Sequence, residues 1–209
     1  MKLYDYAIAP NPRRVNIFLA EKGIEVPVEE IDLRQKQNVG PDFLAINALG
    51  TVPVLELDDG THISESMAIC RYFEAVQPDP PLMGTTPEEI ARIEMWQRRV
   101  ELNGMTPAGE AFRNFEPAFE NRAVAGPDKY PQIPELAERG RIRVTKFFDY
   151  LDNALDGRDY IAGDSFSVAD ISGFVLVGFA GWSNLAPEES QTNLKAWYDR
   201  MSARPSMQS

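Results

Sequence analysis

The hydrophobic pattern of this 209-residue chain changes period once, at Gln77-Pro78-Asp79-Pro80-Pro81, and that change limits the fold more than any other feature. Before it, short apolar-polar alternations take turns with apolar stripes at helical spacing. After it, every periodic segment is helical. Proline cannot continue a helix and brings no N–H to a sheet, so the cluster reads as a linker between two units.

The first unit, residues 1–77, predicts the order βαβα-ββα. Lys2-Leu-Tyr-Asp-Tyr suits a strand. In the helix that follows, Asn11 is a good N-cap, Pro12 fits the first helical position, and Val15, Phe18 and Leu19 form the apolar stripe before Lys22-Gly23. Glu25 to Leu33, with Val26 and Val28 alternating against charge, is a second strand candidate, and Asp42 to Asn47 a helical turn. Thr51 to Leu57 reads as a strand, Asp58-Asp59-Gly60 as a hairpin turn, and His62-Ile63 as its partner. A helix then opens near Ser64-Glu65-Ser66, its stripe Ile69, Tyr72, Phe73 and Val76 following the i, i+3, i+4, i+7 spacing.

Residues 78–86 are the expected linker, and residues 87–209 an all-α bundle. Thr86-Pro87-Glu88-Glu89 is a capping box with proline at the first helical position, opening a long helix with core positions Ile90, Ile93, Trp96 or Gln97, and Val100. Leu136, Val144, Phe147, Phe148, Leu151 and Leu155 mark a second long helix ending before Gly157. Ser167-Val168-Ala169-Asp170 is another capping box, with Phe166 and Ile171 as its hydrophobic staple. The helix it opens is apolar all round, which predicts burial at the centre of the bundle. Trp197, Tyr198 and Met201 belong to a terminal helix stopped near Arg204-Pro205.

Composition narrows the function. Lys plus Arg total 21 against 32 for Asp plus Glu, a net charge of −11, whose field repels nucleic-acid phosphates and anionic membrane surfaces. With one cysteine, Cys70, and one histidine, His62, the chain can form neither an internal disulfide nor a Cys/His zinc cage, so no metal is expected. A Ser-His-Asp hydrolase is disfavoured, because no G-x-S-x-G is present. Neither a signal peptide nor a membrane-spanning run is visible, and the expected location is cytoplasmic.

Val52-Pro53, Glu65-Ser66 and the Ser167-to-Asp170 box, set in this two-unit order, resemble the cytosolic glutathione S-transferase family along essentially the whole chain. The resemblance implies a thioredoxin-like first domain that binds glutathione as co-substrate, a helical second domain that receives a small hydrophobic electrophile, and a two-fold homodimer. Pro53 would be a cis-proline that presents the backbone of Val52 to the cysteinyl unit of glutathione, as an added strand does. The helix N-terminus at Ser66 would take the γ-glutamyl carboxylate, with Glu65 on the nearby ammonium. Gln37, Asn38 and Thr51 fall near the positions that reach the glycyl end, where Lys36 could instead supply charge.

The family places its thiol-activating residue at the start of the first helix. Here the familiar serine position aligns with Ala9, and the cysteine position falls near Pro10. Asn11 remains, as a catalytic amide beside the backbone N–H groups of the helix start, or as a structural N-cap. Arg13 and Arg14 add positive potential there, and Tyr6 is pocket wall or an alternative activator. Met105, Phe112, Phe115, Phe119 and Trp182 are the candidates for the electrophile pocket. Cys70, inside the third helix, reads as an inert core thiol. Three activities fit these residues: glutathione transfer, a glutathione-dependent peroxidase, disulfide reductase or thioether lyase on the same scaffold, and non-catalytic glutathione binding.

Overall fold

The computed structural model describes residues 1–208 and divides into two compact units, residues 1–80 with 124–130, and residues 81–123 with 131–208. The first unit has the order β1 (Lys2–Asp5), α1 (Pro10–Lys22), β2 (Val28–Glu30), α2 (Pro41–Ile46), β3 (Val54–Glu56), β4 (His62–Ser64) and α3 (Ser66–Val76). Its four strands lie in the order β2-β1-β3-β4, with β2 parallel to β1 and the other two pairs antiparallel. This is the thioredoxin-like arrangement.

Several elements begin or end differently from the sequence reading, each for a local reason. The second strand shrinks to three exposed residues at the sheet edge, because Pro27 offers only its carbonyl, which accepts from the Leu3 N–H at 2.8 Å. Val76, read as part of the α3 stripe, is exposed in the last turn. Helix α1 starts at Pro10 and not after Asn11: its N-cap is Ala9, and no side chain caps it. Leu3, Val15, Ile17, Phe18, Leu55 and Ile69 are fully buried, while Tyr4, Ile31, Phe43, Val52 and Val54 form a second buried cluster, since Tyr4 and Val54 pair across the sheet next to the Leu3–Leu55 pair and point to its other face.

The second unit is helical: α4 (Pro87–Val100), α5 (Thr106–Arg113), α6 (Pro134–Ala154), α7 (Val168–Gly181) and α8 (Thr192–Ser202). The Thr86 hydroxyl accepts from the Glu89 N–H at 3.2 Å, and the Glu89 carboxylate accepts from the Thr86 N–H at 3.2 Å, completing the expected box. Ile90, expected in the core, is exposed, whereas Trp96 and Gln97 are both buried. Helix α4 continues into α5 through a wide π turn, Glu101–Met105. Gly104 sits in that turn where a Cβ would come within 2.3 Å of the Leu176 side chain and 3.1 Å of Phe147, so any larger residue there would displace the buried Leu176 methyl.

Helix α7 is the centre of this unit, buried through most of its length. Its start is the Ser167 box, where the Ser167 N–H and hydroxyl both donate to Asp170 Oδ2, at 3.0 and 3.1 Å. The other carboxylate oxygen accepts from the Ile161 N–H at 2.8 Å and from Trp197 Nε1 at 3.0 Å. One fully buried carboxylate therefore ties the start of α7 to the preceding loop and to α8. Among the described residues, no helix is long and apolar enough to cross a membrane.

Candidate functional site

Strand register gathers most of the sequence candidates at one end of the sheet. Tyr4 pairs with Val54, and Val54 pairs with Ser64. The residues just beyond these pairs are Tyr6 after β1, Val52-Pro53 before β3, and Glu65-Ser66 after β4. The Val52-Pro53 peptide is cis. Tyr6 is half-buried and packs on the cluster that contains Tyr4, Phe43, Val52 and Val54. Glu65 has φ 70° and ψ 117°, a positive-φ backbone that a non-glycine residue adopts at a cost of about 1–3 kcal/mol and that concentrates at functional sites.

The start of α1 joins this end through Arg14. This residue is 2% exposed, and its Nη1 donates to the Ser66 hydroxyl oxygen at 3.0 Å. The sequence alone puts Arg14 in the field around the thiol; the structure buries it between α1 and α3. The signal for this is its place on the stripe that also carries Phe18 and Lys22, one helical turn apart each.

An α-helix opens with N–H groups that lack helical partners, and in α1 almost none remain. The Ala9 N–H donates to the Tyr6 carbonyl at 2.8 Å, Pro10 and Pro12 have no N–H, and the Arg13 N–H closes the first helical bond to Ala9 at 2.9 Å. That leaves Asn11, whose backbone N–H is the one donor in the opening turn. The Asn11 side chain is exposed, and among the described residues its amide has no hydrogen-bond partner. The sequence expectation that Asn11 caps the helix is thus corrected, since it lies inside the first turn with Ala9 as the cap.

Gln37, Asn38 and Thr51 form hydrogen bonds within the first unit. Asn38 is buried and donates from Nδ2 to the Gly50 carbonyl at 2.7 Å, while Gln37 Oε1 accepts from the Asp32 N–H at 2.7 Å. Thr51 accepts from Asn47 Nδ2 at both its carbonyl, 2.8 Å, and its hydroxyl, 3.0 Å. These bonds shape the turn that delivers Val52, and Gly50 at φ 60° would bring any Cβ to 2.9 Å from the Asn38 carbonyl. Cys70 is fully buried, and desolvation pushes its thiol up to about 12, so it stays protonated at neutral pH.

In the helical unit, Phe112 makes edge-to-face contacts with Phe119, Phe179 and Trp182 at centroid distances of 5.1, 5.8 and 5.3 Å. Met105 is half-buried in the π turn. Phe115 stands apart from this group: it is 63% exposed, and the Arg141 guanidinium lies 5.0 Å from its ring centroid.

The family pattern for a glutathione S-transferase N-terminal domain matches residues 8–76, and that for the C-terminal domain matches residues 109–205. Glutathione S-transferase 2 of Saccharomyces cerevisiae is 40% identical over 99% of this chain and 88% of its own length. The chain belongs to the glutathione S-transferase family. The crystal structure of Gtt2 from the same yeast overlays this glutathione S-transferase with a TM-score of 0.92, covering 100% of this chain and 99% of that one. The class Gtt2 enzyme of Vibrio parahaemolyticus, 39% identical, gives 0.86 over 100% and 96% of the two chains. Glutathione is the substrate shared across the family, and the enzyme's first unit carries the thioredoxin-like sheet on which the candidates above are arranged.

Proposed function

We propose that this glutathione S-transferase binds glutathione on residues 1–77, stabilises its thiolate with Asn11, and presents it to a small hydrophobic electrophile held by residues 87–209, with 78–86 as the linker. The observation that carries the reading is the donor inventory at the start of α1. Prolines on both sides and the Ala9 bond remove every other N–H, so Asn11 alone offers a backbone and an amide donor to an anion at the positive end of the helix. Cys70, protonated in the core, leaves glutathione as the source of the thiolate.

The other roles follow from placement. The main chain of Val52, set by Pro53, pairs with the cysteinyl unit. Ser66 receives the γ-glutamyl carboxylate and Glu65, in its strained backbone, the ammonium. Gln37, Asn38 and Thr51 serve the glycyl end, the first two through the loop they brace and Thr51 through its remaining hydroxyl proton. Met105 and Phe112 contact the electrophile, and the aromatic group around Phe112 supports an apolar or aromatic acceptor. The enzyme works in the cytoplasm as a homodimer.

Turnover of an aryl halide, a hydroperoxide and a mixed disulfide, each with glutathione, tests this reading. The aryl halide is expected to be consumed, and Asn11→Ala to lower its kcat/KM by about 10–100-fold. Consumption of only the peroxide or disulfide, or full activity in Asn11→Ala, overturns it.

A second reading draws on the likeness to Beta-etherase LigF from Sphingobium sp. strain SYK-6, 25% identical with a TM-score of 0.83 over 99% of this chain. The same thiolate would attack a carbon bearing an aryl ether, forming the C–S bond as the C–O bond breaks and an aryloxide leaves. Release of a phenol from an aryl ether, with no aryl halide turnover, would favour it.

A further inference from the structure

We propose that Arg14 is a positioning residue for the γ-glutamyl carboxylate, acting through the Ser66 hydroxyl; this rests on the assignment of that carboxylate to Ser66.

The seam between α1 and α3 is built from two matching stripes: Arg14, Phe18 and Lys22 on α1, and Ser66, Cys70 and Glu74 on α3, each spaced by one helical turn. At its C-terminal end Lys22 pairs with Glu74 at 2.7 Å and donates to the carbonyls of Gln77 and Pro80 at 2.8 and 2.7 Å. Gln77 returns a bond to the Lys22 carbonyl at 2.6 Å. That cation is locked into the protein and fixes how the two helices lie against each other.

At the N-terminal end the buried cation meets a hydroxyl. A guanidinium has only donors, so the 3.0 Å contact between Arg14 Nη1 and Ser66 Oγ has one possible sense, with the arginine donating. The serine hydroxyl carries one proton and two lone pairs. With a lone pair occupied by Arg14, its proton is turned toward whatever lies at the start of α3, where the Ser66 N–H also points. A hydroxyl that accepts from a cation is a stronger donor, because the bonds polarise one another. A carboxylate there receives a charge-assisted relay, with a positive charge one bond behind it. Ser66 is 5% exposed, so water screens this relay little.

The arrangement also explains why the arginine is on α1. Asn11, proposed for the thiolate, lies in the first turn of this helix, and Arg14, which orients Ser66, lies about one turn further along it. The two ends of the γ-glutamyl-cysteinyl unit are therefore set by one rigid element. The ligand chemistry it selects is an amino-acid head group with a free α-carboxylate.

The test measures calorimetric binding of glutathione, and of its analogue with the γ-glutamyl α-carboxylate converted to the amide, to wild type, Arg14→Met, Ser66→Ala and the double variant. Circular dichroism and the thermal midpoint report whether each variant is folded. Arg14→Met is expected to weaken glutathione at least tenfold and the amide less than twofold, and to add nothing in the Ser66→Ala background. Equal losses for the two ligands, or an undiminished Arg14 effect without the Ser66 hydroxyl, overturn the proposal while leaving the Ser66 assignment intact. Failure of Ser66→Ala to weaken glutathione removes that assignment and the proposal with it. If Arg14→Met does not fold, Arg14→Lys keeps the charge and loses the planar fork; it is expected to lose at least threefold for glutathione and nothing for the amide, and a uniform loss contradicts the proposal.

Discussion

Helices α1 and α7 begin in opposite ways. At α7 the N-terminus is closed by the protein itself: Asp170 is fully buried and accepts four bonds, and Ser167 has an ordinary extended φ of −147°. At α1 no side chain caps the helix, two prolines delete donors, and the Asn11 residue that carries the remaining backbone N–H is exposed. A helix start that satisfies itself is structural, and its removal costs stability. One left open can serve a ligand, and its removal costs binding or rate.

The largest expected effect is at the closed end. Asp170→Ala orphans the buried N–H groups of Ile161, Ser167 and Trp197, and at about 1–3 kcal/mol for each it should lower unfolding stability by about 3–5 kcal/mol in urea titration. A loss below about 1 kcal/mol would remove the contrast between the two ends.

The pH dependence of the same residue sharpens it. Burial raises the Asp170 carboxyl to about 6, against the pull of its four donors. The unfolded chain releases that proton near 3.9, so between about 4 and 6 the native protein holds a proton that the unfolded chain has lost. The stability from this group is fully present below about pH 4 and is lost as pH rises through about 6, a change on the order of 3 kcal/mol. Urea titrations from pH 4 to 7 should show the wild type falling relative to Asp170→Asn across that window; parallel curves would contradict it.

Smaller effects separate the exposed ends. Thr86→Ala removes the hydroxyl that accepts from the Glu89 N–H and should cost about 1 kcal/mol. Asn11→Ala, which removes no protein hydrogen bond, should stay within about 0.5 kcal/mol. Thermal midpoints of the two variants measure the difference, and a larger loss at Asn11 would make it a structural cap after all.

These contrasts also mark what could be read from the chain. The βαβα-ββα order and the central place of α7 were legible because both follow from periodicity and from capping signals three residues apart. The start of α1 was not: Pro10 and Pro12 both suit the first helical position, Asn11 is a favoured cap, and the start is set by the Arg13 N–H closing the first helical bond onto the Ala9 carbonyl. The burial of Arg14 had a signal in its place on the stripe with Phe18 and Lys22, but its partner Ser66, 52 positions away, had none. Asp170 was legible as a cap residue, but its bonds to Ile161 and Trp197 depend on how α8 and a distant loop return to the helix start.

The most direct measurement of the central claim is a pH titration of the thiolate absorbance of bound glutathione in wild type and Asn11→Ala. The midpoint is expected to lie below that of free glutathione in the wild type and to move back toward the free value in Asn11→Ala. A midpoint equal to that of free glutathione in the wild type, or a depressed one that Asn11→Ala leaves unmoved, would contradict thiolate stabilisation by Asn11.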